Sequence, residues 1–275
     1  MIKFEPNEFF SPEKTFLCGQ CFRWEKDENG DFFGVTGNSA AKIQLGEDGA
    51  IFLESSNEDV DFWSNYFDFS RDYKKAEEFL ILDKKMQEPS KAGRGIRILR
   101  QDLWETTISF IISANNNIPR IKKIIESFCC LFGEKIEFNG KVFYGFPTPE
   151  RVAKLSLSDL APIKAGFRDK YILGAASAVA NGEINFSEIH VLSDEDAGEE
   201  LLKIKGVGRK VADCILLFSL GRHSVFPLDV WTKRIINDLY GIEEKNSAKF
   251  VFEKFKNYSG IAQQYLYYYY AIQKK

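Results

Sequence analysis

The chain has 275 residues, 44% of them hydrophobic and 28% charged, with a formal net charge of −3. That length and apolar content suffice for one large core or two moderate ones, while no stretch is apolar enough to span a membrane and the start, MIKFEPNEFF, lacks the basic head and apolar run of a secretory signal. Five cysteines, an odd number in a chain this long, argue against a disulfide framework and for a reducing cytoplasm.

Residues 1 to about 86 have a strand-rich character. DENGDFFGVTG and AAKIQLGEDGAIFLES join β-prone runs to Asn29-Gly30 and Asp48-Gly49, dipeptides that suit hairpin turns. Residues 72–86 have helical periodicity, and the run from Met86 to Gly95, with Pro89, Gly93 and Gly95, is expected to be a connector. After Gly95 helix follows helix. Helical patterns cover 96–114 and 118–132, with Pro119 tolerated near a first turn. Thr148-Pro149-Glu150 starts a short helix and Ser158-Asp159-Leu160 resembles another cap. Further helices fit 171–181, 194–204, 210–220, 230–240, 249–256 and 261–272. The expected fold is α+β: an N-terminal antiparallel sheet domain over 1–90, then a larger all-α domain over 91–275. A monomer is expected, since nothing in the sequence argues for an oligomer.

Charge is segregated along the chain. Residues 25–61 hold ten acids against two lysines, whereas 201–234 hold seven Lys/Arg against Asp213 and Asp229. A basic field is needed only where phosphate docks, so the acidic average weakens a nucleic-acid partner without excluding it. The basic segment contains Gly206-Val207-Gly208 between two apolar-periodic stretches. Glycine turns and helix N-termini present backbone amides that seat an anion. The same tripeptide also suits an ordinary tight connection between helices.

Lys210 follows on the first turn of the next helix. A lysine beside a phosphate seat usually neutralises charge, but the positive dipole end there disfavours the ammonium and favours a nucleophilic amine. Cys214, four residues on, shares its helix face. Asp229 stands where a helix N-cap would, just after Pro227, and a capping carboxylate is held in a fixed place. A lysine and an aspartate separated by a helix of suitable length form a candidate nucleophile and its partner.

The leucine-rich helix, the Gly-Val-Gly turn, the basic pair Arg209-Lys210 and the aspartate together resemble the helix-hairpin-helix DNA glycosylase superfamily, and the 8-oxoguanine DNA glycosylases within it. The likeness extends to CGQCFRW (18–24), RILRQDLWETTISFIISANNNIPRI (97–121), Gly166-Phe167-Arg168 and GIAQQYLY (260–267). It implies an enzyme acting on damaged double-stranded DNA, with no membrane partner. A base inside a duplex must be flipped out to be cut, and the resemblance assigns Asn115 and Phe167 to filling the gap. Arg120 and Arg168 would hold the widowed cytosine through their forked donors.

The carbonyl of Gly19 would accept the N7 proton that 8-oxoguanine carries and guanine lacks. Glycine suits that position because a Cβ blocks close approach. Cys214 and Tyr267 would sandwich the flipped base, Gln263 would read its Watson–Crick edge, and the last helix would close the pocket. Gly206, Val207 and Gly208 would contact phosphate. The resemblance makes Lys210 the nucleophile at C1′, forming a Schiff base that allows β-elimination, with Asp229 stabilising the cationic sugar.

Three positions depart from the family pattern. Trp231 replaces a histidine, Lys205 a proline, and Phe167 the commoner tyrosine. Cys18-Gly-Gln-Cys21 has no second pair at zinc spacing, and no cysteine follows Cys214, as an iron–sulfur cluster would need. No metal or cofactor is therefore expected. Two rival functions remain: a glycosylase for alkylated purines, and a non-catalytic module that binds DNA through the hairpin alone.

Overall fold

In the computed structural model, which describes residues 1–273, the N-terminal part is built on one antiparallel sheet. Its strands are β1 (Ile2–Phe4), β2 (Trp24–Lys26), β3 (Phe32–Thr36), β4 (Ser39–Leu45) and β5 (Ile51–Ser55), in the order β1-β5-β4-β3-β2. The hairpins turn where the sequence signals, with Gly30 at φ +89° and Gly49 at φ +80°. The sheet buries Trp24, Phe32, Ile43, Ile51 and Leu53 against α1 (Pro12–Leu17) and α2 (Val60–Tyr66). Phe16 stacks on Trp24 with ring centroids 4.1 Å apart, and the Trp24 indole N–H donates to the Tyr66 hydroxyl, so this large ring is buried without an orphaned donor.

Two helices, α3 (Tyr73–Leu80) and α4 (Gln87–Gly93), lead out of the sheet region, and their apolar faces join the core of the helical part. Residues 87–93, expected as a connector, are helical. Pro89 is the third residue of α4, where the N–H it lacks has no intrahelical partner. A Cβ on Gly93 would lie 2.4 Å from the Tyr265 ring, so glycine serves here as a packing residue.

The long helix expected from Ile96 is shorter: α5 covers Leu103–Ser113, capped by Asp102, and 96–102 has no regular secondary structure. Arg97 explains the misreading. It is buried in a run of apolar residues that looks helical, and its guanidinium donates to the carbonyls of Phe67, Asp68 and Arg71. Next comes α6 (Ile118–Phe132), capped by Asn117, then a hairpin the sequence reading did not anticipate. Its strands, β6 (Lys135–Phe138) and β7 (Lys141–Tyr144), are joined at Asn139-Gly140, both with positive φ.

The remaining helices are α7 (Pro149–Val152), α8 (Leu157–Leu160), α9 (Asp169–Ala180), α10 (Phe186–Ile189), α11 (Asp194–Leu202), α12 (Arg209–Phe218), α13 (Val230–Tyr240), α14 (Ser247–Phe255) and α15 (Ser259–Tyr267), which continues as a π-helical stretch to Gln273. The cap of α8 is Ser156 rather than Ser158, with Asp159 completing a capping box. Among the described residues no helix is long and apolar enough to cross a membrane.

One buried charge ties the sheet region to the helices that carry the site. Asp68 is fully buried and accepts from Arg71 (2.9 Å), Arg100 (2.7 Å) and the Tyr73 hydroxyl (3.2 Å), while His223 Nε2 lies 3.4 Å away. The His223 carbonyl in turn accepts from Gly260 N at the start of α15. Burial alone would raise the Asp68 carboxyl, but His223, Arg71 and Arg100 outweigh it and hold the group below its ordinary value. Asp68→Ala leaves two arginines without their carboxylate and is expected to cost about 3 kcal/mol in urea unfolding at neutral pH. Because the folded-state value is depressed, that contribution is complete above the unfolded value of about 4 and fades as pH falls through the folded one. The unfolding curves of variant and parent should therefore converge in acid.

Candidate active site

A small cavity of about 70 Å³ is lined by Cys18, Gly19, Phe110, Lys210, Cys214, Phe218, Pro227, Asp229, Gln263, Gln264 and Tyr267. It brings together six residues that lie far apart in the chain: Gly19, Lys210, Cys214, Asp229, Gln263 and Tyr267. The volume is well below the roughly 300 Å³ at which ordinary ligand pockets begin. A larger cavity of about 650 Å³ between α11, α12 and α14 shares Lys210 but none of the other five. The convergence of polar groups, not size, marks the smaller one as the site.

Lys210 and Cys214 project from the first two turns of α12. The Lys210 amine stands 5.4 Å from the centroid of the Phe110 ring, which stacks on Phe218. Burial lowers the pKa of Lys210, but the Cys214 sulfur and the Asp229 carboxylate more than offset it, so the net shift is upward. The net direction is opposite to that expected from the helix dipole, because the Cys214 sulfur and the Asp229 carboxylate both favour the ammonium. Burial pushes the Cys214 thiol up to about 11, against the pull of Lys210. At neutral pH it is a neutral wall of the pocket.

Asp229 caps α13. Its Oδ1 accepts from Thr232 N (2.7 Å) and Thr232 Oγ1 (3.0 Å), and Thr232 Oγ1 accepts from Asp229 N (2.8 Å). These bonds use Oδ1 and leave Oδ2 for the pocket. Gln263, on α15, is buried, and among the described residues its Oε1 has no hydrogen-bond partner. An unsatisfied buried carbonyl costs about 1–3 kcal/mol, a cost removed when a donor enters the pocket. Gly19 has φ +85°, and a Cβ there would make only ordinary contacts, 3.5 Å from Ile118 and 3.7 Å from Tyr267. The left-handed backbone, rather than crowding by the protein, is what demands glycine.

The DNA-facing candidates lie on loops around this pocket. Asn115 is exposed at φ +50°, and Phe167 is 56% exposed on a one-turn 3₁₀ segment. Arg120 is exposed on the first turn of α6. Arg168, by contrast, is buried. Its guanidinium packs on the Phe167 ring (4.4 Å) and donates to the carbonyls of Ala114, Asn115 and Ala165, stitching the two loops together. In the hairpin, Gly206 has φ +97°, and a Cβ would meet Tyr171 at 2.7 Å. The Val207 side chain is in the core, and Gly208 opens α12 with no side-chain cap, so the first amides of that helix are available. Trp231 is half-exposed near Asp229, with the Arg234 guanidinium 5.4 Å from its ring.

Cys18 and Pro227 also line the pocket, as do Phe110, Phe218 and Gln264, which were not singled out in the sequence. The two phenylalanines belong to apolar runs and carry no signal of their own. Gln264 stood beside Gln263, but only the fold shows that both neighbours face inward.

The model of the 8-oxoguanine DNA glycosylase N-terminal domain matches residues 1–107, and that of the HhH-GPD superfamily base excision DNA repair proteins matches 108–259. The N-glycosylase/DNA lyase OGG1 of Arabidopsis thaliana is 29% identical over 284 residues, covering 92% of this chain and 75% of that protein. A solved structure of MBOgg1 with a low-affinity DNA ligand superposes with a TM-score of 0.93 at 44% identity, covering 98% of this chain and 94% of the other. The Clostridium acetobutylicum 8-oxoguanine glycosylase/lyase, in complex with double-stranded DNA containing cytosine opposite 8-oxoguanine, gives 0.92 at 41% identity, with 98% and 94% covered.

Proposed function

The chain belongs to the HhH-GPD superfamily of base excision DNA repair proteins, in its 8-oxoguanine DNA glycosylase/lyase branch, and from that premise we propose that it flips 8-oxoguanine out of duplex DNA, cuts its glycosidic bond with Lys210 and nicks the strand by β-elimination. The observation that carries this reading is the meeting of Lys210, Asp229, Gln263 and Gly19 around one cavity.

The amides at Gly208 and beyond seat a backbone phosphate, and Phe167 and Asn115 fill the space the base leaves. Arg120 reaches the widowed cytosine as it stands; Arg168 does so only by releasing loop carbonyls. In the pocket, the Gly19 carbonyl accepts from N7–H, which guanine does not have, and the Gln263 amide pairs with the Watson–Crick edge. Cys214 and Tyr267 cover the two faces of the base.

As the glycosidic bond breaks, positive charge develops on the sugar next to the Asp229 carboxylate. The ammonium of Lys210 must give up a proton before its nitrogen can bond to C1′, and Asp229 is the nearest carboxylate able to take it. The base departs with the bonding electron pair and takes up a proton from the attacking nitrogen, and the hemiaminal ether left behind opens at its C1′–O4′ bond, O4′ taking the proton held by Asp229, to become an iminium. That cation acidifies the 2′ proton, whose removal expels the 3′ phosphate.

Incubation with borohydride and duplex carrying 8-oxoguanine opposite each of the four bases tests this. A covalent complex is expected, most abundant opposite cytosine. Absence of a trapped species with any duplex, despite base release, would remove the lyase route. Base release from alkylated purines in preference to 8-oxoguanine would favour the rival glycosylase.

A further inference from the structure

The pocket is lined by a second glutamine, whose amide is bonded to the backbone. Gln264 is buried on α15, and its Nε2 donates to the carbonyl of Cys18 at 2.9 Å across 246 residues of chain. Cys18 immediately precedes Gly19, so this bond fixes the plane of the peptide entering the glycine. The residue that follows Gly19 is anchored as well, through its side chain and its own carbonyl. Gln20 donates from Nε2 to the carbonyls of Thr15 (2.8 Å) and Arg97 (2.7 Å), accepts at Oε1 from Leu99 N (2.9 Å), and its own carbonyl accepts from Gln101 Nε2 (2.8 Å). Between these two anchors stands a glycine at φ +85°, a residue otherwise free to rotate. Among the described residues the Gly19 carbonyl itself has no hydrogen-bond partner.

We propose that Gln264 is a positioning residue for lesion recognition: it holds the Gly19 carbonyl at the angle from which it accepts from N7–H. This rests on the reading of Gly19 given above. The geometry separates two tasks between adjacent residues of one helix. Gln263 leaves its carbonyl open to a ligand, while Gln264 spends its amide on the backbone of the loop that carries the second contact. Anchoring recognition to α15 also means that the two polar contacts to the base move together with that helix.

The test compares single-turnover excision of 8-oxoguanine with that of 7-deaza-8-oxoguanine, which has C–H in place of N7–H, both opposite cytosine. The parent is expected to prefer 8-oxoguanine by about tenfold, the equivalent of one good hydrogen bond. Gln264→Met keeps the length and loses the donor; its preference should fall to about twofold or less, chiefly through slower 8-oxoguanine excision. If Gln264→Met is poorly folded, Gln264→Asn, too short to reach Cys18, gives the same comparison. A variant that slows both substrates equally, or keeps the full preference, overturns the proposal, because a purely structural residue cannot sense the atom at position 7. A parent with no preference would instead overturn the reading of Gly19.

Discussion

Lys210→Gln is expected to abolish borohydride trapping and to slow release of 8-oxoguanine by about a thousandfold or more, while lowering the thermal midpoint only slightly. Glutamine is nearly as long as lysine and can still lie over Phe110, so the pocket keeps its shape. It lacks only the amine that forms the bond to C1′, and a nucleophile's contribution is commonly of the order of 4 kcal/mol or more. The fold favours the ammonium, as its upward shift records, so losing that charge and leaving the Asp229 carboxylate without its partner lowers stability modestly. Duplex affinity should stay within a few fold, since the phosphate seat is backbone. Unchanged excision with lost trapping would mean that water, not Lys210, breaks the glycosidic bond.

A pH profile gives a second check. Lys210 is shifted upward from its ordinary value, so the free-amine fraction climbs throughout the neutral range, and the single-turnover rate is expected to rise between about pH 6 and 9.

The legibility of this site in the sequence follows from the kind of interaction each residue makes. Lys210, Cys214 and Asp229 are linked by local spacing: one helix places the first two on one face, and its length sets the distance to the cap. Gly206 is legible for the same reason, as a turn between two periodic segments. Gln264 is not. Its role is set by a hydrogen bond to Cys18, at the opposite end of the chain, and no periodicity encodes such a partner.

Misjudged elements have equally physical causes. The run Ile96-Arg97-Ile98-Leu99 is buried on every side, so it lacks the alternation that would mark it off from the helix that follows, and Arg97 is buried because three carbonyls surround it. The Asn139-Gly140 hairpin did carry a turn signal. Its strands are only four residues each, with mixed burial, and were too short to stand out between helices. The direction of the Lys210 shift was misjudged because the helix dipole was weighed without the two groups that raise the amine, Cys214 on the same helix and the Asp229 carboxylate at the start of α13.

Asp229→Asn is the second large effect, and it separates two roles that the fold assigns to one residue. As an N-cap, asparagine is about as good as aspartate: its side-chain oxygen can still accept from Thr232 N, the bond now made at 2.7 Å. The thermal midpoint should therefore move little, whereas Asp229→Ala, which loses the cap, is expected to cost about 1 kcal/mol. Catalysis should not survive the exchange so well. The amide carries no charge to offset the developing cation on the sugar and cannot accept the proton that Lys210 must shed. A loss of about a hundred- to a thousandfold in single-turnover rate is expected, in line with removing one preorganised electrostatic partner.

The sign of an accompanying shift follows from the same geometry. Asp229 is one of the groups that raise Lys210, so without its charge the amine deprotonates at lower pH, and the rising limb of the rate profile should move toward acid even as its height falls. A variant with unchanged melting, a lower rate and a left-shifted profile identifies a carboxylate that acts on the lysine. A lower rate with lower melting and an unshifted profile would instead reduce Asp229 to the cap of α13.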